Sequence, residues 1–237
     1  MNTLHGQKVL VVGGSSGIGA AAAKSLAALG AEVTIASRNA GKLEAAAAEI
    51  GGAVRTAILD TSDDSALEAF FAAQDVFDHV VVSAAQTASG PVKQLALVDA
   101  YAAMNSKFWG AYRVARAARI RQGGSLTLVS GFLSVRPSKT SVLQGAINAA
   151  LEALTRGLAL ELSPVRVNAV SPGLVATPLW AGLSEEKRQA MYEGAAARLP
   201  AQRVGQPEDI ANAITYLVTT PYATGSTVLV DGGGAIA

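Results

Sequence analysis

The chain has 237 residues, 50% hydrophobic and 16% charged, which is enough apolar material for one thick core and too little charge for a disordered polymer. Lysine plus arginine (19) nearly cancels aspartate plus glutamate (18), so no global field draws the chain to nucleic acid or to an anionic membrane. Cysteine is absent and the only histidines are His5 and His79, which excludes thiolate and multi-histidine metal sites.

The N-terminus shows no basic and apolar export signal, and the Ala-rich stretches are broken before the roughly 20 apolar residues that span a bilayer. A cytoplasmic protein with no nucleic-acid or membrane partner and no metal is the expectation. Short apolar runs alternate with longer amphipathic ones from end to end, the pattern of repeated βα units and a parallel sheet. Strands are predicted over 8–12, 32–36, 54–59, 79–83, 125–129, 165–170 and 227–230, and helices near 18–29, 42–50, 65–73, 98–121, 141–162 and 207–219. Residues 9–12 and 80–82 are wholly aliphatic, as strands covered on both faces are. The expected fold is α/β, a doubly wound parallel sheet of seven strands in a single domain over 1–237.

One segment interrupts the alternation. Residues 177–200 carry Trp180, Met191 and Tyr192 among charges, between a strand and the next helix. An insertion there hangs over the carboxyl edge of the sheet, where open α/β folds bind ligands. It is read as a substrate lid; an ordinary surface helical pair is the alternative.

Immediately after the first strand come Gly13, Gly14, Ser15, Ser16, Gly17, Ile18 and Gly19, and then a helix. Glycines at such a junction permit a tight turn and let backbone amides approach a pyrophosphate resting on the positive helix terminus, as in a Rossmann fold. The strand before and the helix after are what give the run meaning.

The glycine spacing is wider than the general dinucleotide fingerprint and resembles that of the short-chain dehydrogenase/reductase family. The resemblance extends over nearly the whole chain: Asp60 after strand three, Asn105 in helix four, Ser130 after strand five, RVNAVSPG over 166–173, RVGQPEDIA over 203–211 and YATGSTVLVDGG over 222–233. Two departures are Val12 where the family has threonine, and Ser83, Ala84, Ala85 and Gln86 where it has an Asn-Asn-Ala-Gly turn. The resemblance implies that Asp60 and Thr61 lie beside an adenine and that Pro172, Gly173, Val175 and Thr177 close over a nicotinamide. Asp60 as a cap of helix three is the alternative.

The end of strand two decides between cofactors, because an acid there binds ribose hydroxyls and repels a 2′-phosphate. This chain has Ser37, Arg38 and Asn39. Arg38 is suited to pair with the phosphate, so NADP(H) is expected; a solvated arginine is the bland alternative.

In the resembled family a tyrosine protonates the developing alkoxide. A lysine four residues later lowers the tyrosine pKa and holds the nicotinamide ribose, a serine polarises the carbonyl, and an asparagine holds a relay water. AALEALTRGLALEL over 149–162 resembles the text that follows the lysine, and counting back puts Asn148 at the lysine position and Gln144 at the tyrosine position. An amide donates and accepts hydrogen bonds but releases no proton near neutral pH. Ser130 and Asn105 stand at their family positions; a strand-ending serine bonded to backbone and a helix residue satisfying a carbonyl are the alternatives. Tyr192, Lys139, Arg136 or a water on Asn105 are the substitute acids in view, while Tyr101 and Tyr112 are expected to pack helix four. Phe132, Leu133, Leu174, Leu179, Trp180 and Met191 line a pocket or are ordinary core.

Three readings follow. One is an NADP(H)-dependent oxidoreductase acting on a small carbonyl or alcohol with a non-standard proton donor. Another is a catalytically silent NADP(H)-binding sensor or scaffold. A non-redox lyase or isomerase in the same pocket is a third. The Ala-rich faces of 98–121 and 141–162 suit close helix packing, and the resemblance implies a homodimer or homotetramer.

Overall fold

The computed structural model describes residues 3–237. Its centre is a seven-stranded, all-parallel sheet in the order β3-β2-β1-β4-β5-β6-β7. The strands are β1 (Lys8–Val12), β2 (Glu32–Ser37), β3 (Arg55–Ile58), β4 (Phe77–Val82), β5 (Ile120–Val129), β6 (Arg166–Pro172) and β7 (Thr227–Val230). The helices are α1 (Gly17–Ala28), α2 (Ala40–Ile50), α3 (Asp64–Ala73), α4 (Leu97–Met104), α5 (Gly110–Ala117), α6 (Val142–Glu161), α7 (Glu185–Ala196) and α8 (Pro207–Thr219). Among the described residues no helix is long and apolar enough to cross a membrane.

Alternating side chains sort the strands between two cores. Val9 and Val11 of β1 join Ile35, Val81 and Val170 under α1, α2 and α8. Leu10 and Val12 join Val80, Val82, Leu126 and Leu128 under α3, α5 and α6. Successive residues of a strand face opposite ways, so an unbroken aliphatic run supplies both layers. The sheet winds outward in both directions from β1 and β4, so their carboxyl ends flank the crevice at which such sheets take ligands.

The predicted helix over 98–121 is three pieces. α4 passes into a π-helical turn, Asn105–Trp109, then into α5. β5 starts at Ile120, which pairs with Phe77 of β4. Tyr101 and Tyr112, expected as packing residues, are 70% and 41% exposed; Tyr112 meets Trp109 edge-on at 5.5 Å. With Asp64, Met104, Asn105 and Arg113, these three aromatics line an open groove of about 660 Å³ on the outer face of α3, α4 and α5.

A buried histidine ties the amino edge of the sheet. His79 Nδ1 lies 2.8 Å from Ser125 Oγ and Nε2 lies 2.7 Å from Gln7 Oε1. This fits a neutral ring whose Nε2–H donates to the amide oxygen and whose Nδ1 accepts from the hydroxyl. Burial first, and the Arg166 charge second, pull its pKa down to about 4. The folded value lies below the unfolded one, so between about 4 and 6.5 the unfolded chain binds more protons and stability falls as pH falls through that window. The expected cost is about 3 kcal/mol. Urea unfolding at pH 7 and pH 4.5 checks it; His79→Gln, whose amide does not titrate, loses that part of the slope.

Candidate active site

The turn after β1 is shaped by what its glycines exclude. Gly13 has φ +86°, and a Cβ there would lie 2.5 Å from Ala84 N; a Cβ on Gly19 would lie 2.1 Å from Gly13 O and 2.5 Å from Ser83 Oγ. The loops after β1 and β4 are thus in backbone contact, and Ser83 Oγ donates to Val12 O and Gly13 O at 3.3 and 3.4 Å. Ile18 packs into the core, so its place in the first turn of α1 offers backbone alone.

α1 begins without a side-chain cap on Ser16 and without an acid in its first turn, whereas Asn39, Asp63 and Ser184 cap α2, α3 and α7. The first amides of α1 are left for an anion, and the helix dipole favours one. Gly17 lies against Thr177, whose Cβ is 3.4 Å from where a glycine Cβ would be. The segment after β6 therefore reaches over the glycine turn.

Arg38 is exposed at the end of β2, beside Ser37, and donates from Nη2 to Gln86 Oε1 at 2.7 Å. Gln86, which replaces a glycine of the resembled family, thus steadies the guanidinium across the crevice, and its own N–H donates to Ser106 Oγ. Asp60 accepts from Ser62 N and Ser62 Oγ. The Ser62 backbone bond first, with the Ser62 hydroxyl and the Arg38 charge assisting, holds its pKa below the usual carboxylate value. The cap of α3 is Asp63, which accepts from Ala66 N. Thr61 lies against Gly110, where a Cβ would come within 2.9 Å of Thr61 Oγ1. Ala84 and Ala85 follow Ser83 on the loop beside the glycine turn, and Ser15 lies on the turn itself. Pro172 ends β6, Gly173 N donates to Val230 O, and Val175 bridges to Gly205.

These residues fit a phosphorylated dinucleotide: a glycine turn packed too closely for side chains at Gly13 and Gly19, helix amides without a side-chain cap for the pyrophosphate, and a guanidinium that among the described residues forms no salt bridge and is suited to a 2′-phosphate. Among the described residues no group of three or more His, Asp or Glu side chains is arranged to hold a metal.

Gln144, Asn148 and Glu152 are one turn apart on one face of α6. Gln144 is buried and donates from Nε2 to Ala88 O at 3.4 Å. Asn148 is buried and accepts at Oδ1, at 2.7 Å, from Lys107 Nζ. The same ammonium donates to Ser130 O at 2.6 Å. Lys107 was not among the candidate acids; it comes from the π turn, two residues on from Asn105, which lines the outer groove.

Ser130 meets Lys107 through its carbonyl. Its hydroxyl donates to Glu152 Oε1 at 2.9 Å and lies 3.3 Å from Val170 O. Ser134 and Ser171 donate to the same carboxylate oxygen at 2.7 and 3.0 Å. The residue after Ser130 is glycine, and a Cβ on Gly131 would come within 2.6 Å of Asn148 Nδ2, so the asparagine amide fills the space that a side chain at 131 would need. Burial lowers the pKa of Lys107 to about 8, against the opposing pull of the Glu152 charge.

Comparison with known proteins agrees with this geometry. The family whose model is described as enoyl-(acyl carrier protein) reductase matches residues 12–234. A short-chain dehydrogenase/reductase of Stachybotrys chlorohalonatus, ATR9, is 36% identical over 98% of this chain and 98% of its own. A small-chain dehydrogenase solved in complex with NADPH superposes with a TM-score of 0.86 at 36% identity, covering 98% of this chain and 99% of the other. A short-chain oxidoreductase of Pseudomonas aeruginosa PAO1, described as containing an atypical catalytic center, superposes at 0.90 with 27% identity over 98% of both chains. The chain belongs to the short-chain dehydrogenase/reductase family.

Proposed function

We propose that this protein is an NADP(H)-dependent oxidoreductase that acts on a small carbonyl or alcohol and uses a non-standard proton donor. The observation that carries the reading is the pairing of a cofactor cradle suited to a 2′-phosphate with an ammonium beside Asn148, the position where the resembled family has its lysine. Bound there, NADPH supplies a hydride. Arg38 with Ser37 would take the 2′-phosphate, the first amides of α1 and the Gly13–Gly19 turn would hold the pyrophosphate, Asp60 and Thr61 would flank the adenine, and Pro172, Gly173, Val175 and Thr177 would cover the nicotinamide. Gln144 and Asn148 orient the carbonyl and the ribose. The NADPH-bound neighbour and the neighbour with an atypical center support this reading. The lid over 177–200 and a homodimer or homotetramer belong to the same proposal.

Equilibrium titration with NADPH and NADH tests the cofactor half. NADPH binds more tightly, and Arg38→Ala weakens it about 10- to 100-fold, the worth of one charge-assisted contact, while NADH is little affected. Equal affinities overturn the assignment. A panel of a short ketose, a 1,2-diketone and a 3-oxoacyl thioester, followed by NADPH absorbance, tests turnover; tight NADPH binding without turnover across a broad panel favours the sensor reading.

A further inference from the structure

We propose that Lys107 is the catalytic acid of this site, delivering from its ammonium the proton that the family's tyrosine would supply. The inference rests on the oxidoreductase reading and goes beyond it by naming the donor. Three features carry it: the residue's entry from a π-helical turn, its anchoring by Ser130 O and Asn148 Oδ1, and the replacement of both ionisable family positions on α6 by amides.

π turns are rare and recur at functional sites. Here the widened turn carries a lysine across to the catalytic face of α6. Two of the three ammonium N–H groups are spent, on a carbonyl and on an amide oxygen; the third has no partner among the described residues. The cation lies one hydrogen bond from Asn148, so the positive charge missing from α6 is restored with a small displacement.

The groups facing it are few. α6 contributes the amides of Gln144 and Asn148 and the carboxylate of Glu152. The ends of β5 and β6 and the short turn at Phe132–Ser134 contribute the hydroxyls of Ser130, Ser171 and Ser134, all three directed at Glu152. Among the described residues Glu152 is the charge that acts on Lys107, and it favours the ammonium; burial opposes it more strongly and leaves the pKa at about 8. An acid with a pKa near the working pH is both protonated enough to give and weak enough to recover. The family's tyrosine needs a neighbouring lysine to reach that range, whereas this lysine reaches it by desolvation.

The step balances. The carbonyl carbon takes a hydride from NADPH, which is oxidised to NADP+; a C–H bond forms and the π pair moves to oxygen. The alkoxide takes a proton from Nζ of Lys107, whose N–H pair stays on nitrogen as a neutral amine, and solvent water then reprotonates the amine. Oxidation of an alcohol runs the same path backwards, with the amine as base.

The test begins without cofactor or substrate. Carbon-13 NMR of the lysine Cε positions in the full-length protein should show one resonance titrating near pH 8, absent in Lys107→Met, while ordinary lysines titrate near 10.4. With NADPH and the carbonyl panel, kcat in the wild type should fall above about pH 8. Lys107→Met should lose about 100-fold or more in kcat with NADPH affinity kept within a few-fold. Lys107→Arg keeps a cation and should show low activity with no titration between pH 7 and 9.

A Lys107 midpoint near 10 overturns the proposal. So does turnover whose rate and pH profile survive Lys107→Met, and in that case the oxidoreductase reading stands. A wild type that binds NADPH and reduces nothing, with the amine still titrating near 8, overturns the oxidoreductase reading and the acid role together.

Discussion

Gly13→Ala is expected to cost at least about 3 kcal/mol of stability and to weaken NADPH binding by more than about 100-fold. The residue has φ +86°, and an L side chain held in the left-handed region costs about 1–2 kcal/mol. The new methyl would also lie 2.5, 2.7 and 2.9 Å from Ala84 N, Ala84 Cα and Ser83 C. All three are backbone atoms, so no side chain can swing aside; the loops after β1 and β4 must part. They form the two walls of the crevice, and binding suffers beyond the loss of stability. Urea unfolding and NADPH titration measure the two effects. Gly182→Ala is the control, since nothing lies within 4 Å of a Cβ there and its φ is ordinary.

The second large effect lies far from the crevice. Arg166 is buried, and its guanidinium donates to Leu217 O at 2.7 Å, Val218 O at 2.8 Å and Ala223 O at 3.0 Å. α8 ends in extended Thr220 with no basic residue in its last turn and no glycine to curl back, so the arginine supplies the donors its last carbonyls need. Arg166→Met keeps much of the volume and strands those carbonyls indoors. Each unsatisfied group costs about 1–3 kcal/mol, and Ala223 O retains its bond from Asn168 Nδ2. A loss of about 4 kcal/mol is expected, which for a domain of this size lowers Tm by roughly 8–16 °C. Calorimetry measures it. A change of less than about 2 °C would mean that the carbonyls find other donors.

The strands were legible because β1 and β4 must feed two cores at once, which leaves a pure aliphatic run in the sequence. β1 and β7 match their expected bounds, and the remaining strands differ by a few residues at their ends, where pairing rather than composition decides. The region over 98–121 was misread because alanines, tyrosines and arginines there favour continuous helix, whereas the π turn and the early start of β5 are set by contacts with β4 and α6. The glycine turn after β1 was legible because a Cβ at Gly13 or Gly19 would strike neighbouring backbone, so only glycine fits there. Lys107 was not, because a lone lysine between Ser106 and Phe108 carries no periodic signal and its direction depends on a turn of unusual pitch. Glu152 was within reach: continuing the four-residue stride from Gln144 and Asn148 arrives at it.

The contact between Lys107 and Asn148 bears on any attempt to write a tyrosine–lysine pair, four residues apart, into α6 at 144 and 148. Writing tyrosine at 144 and lysine at 148 would bring a second ammonium against the first, in a chamber that holds one carboxylate already bound by three hydroxyls. Like charges so close in poorly screened surroundings repel strongly. The two arrangements are therefore mutually exclusive solutions, and a lineage or an engineer passing from one to the other must vacate position 107 in the same move.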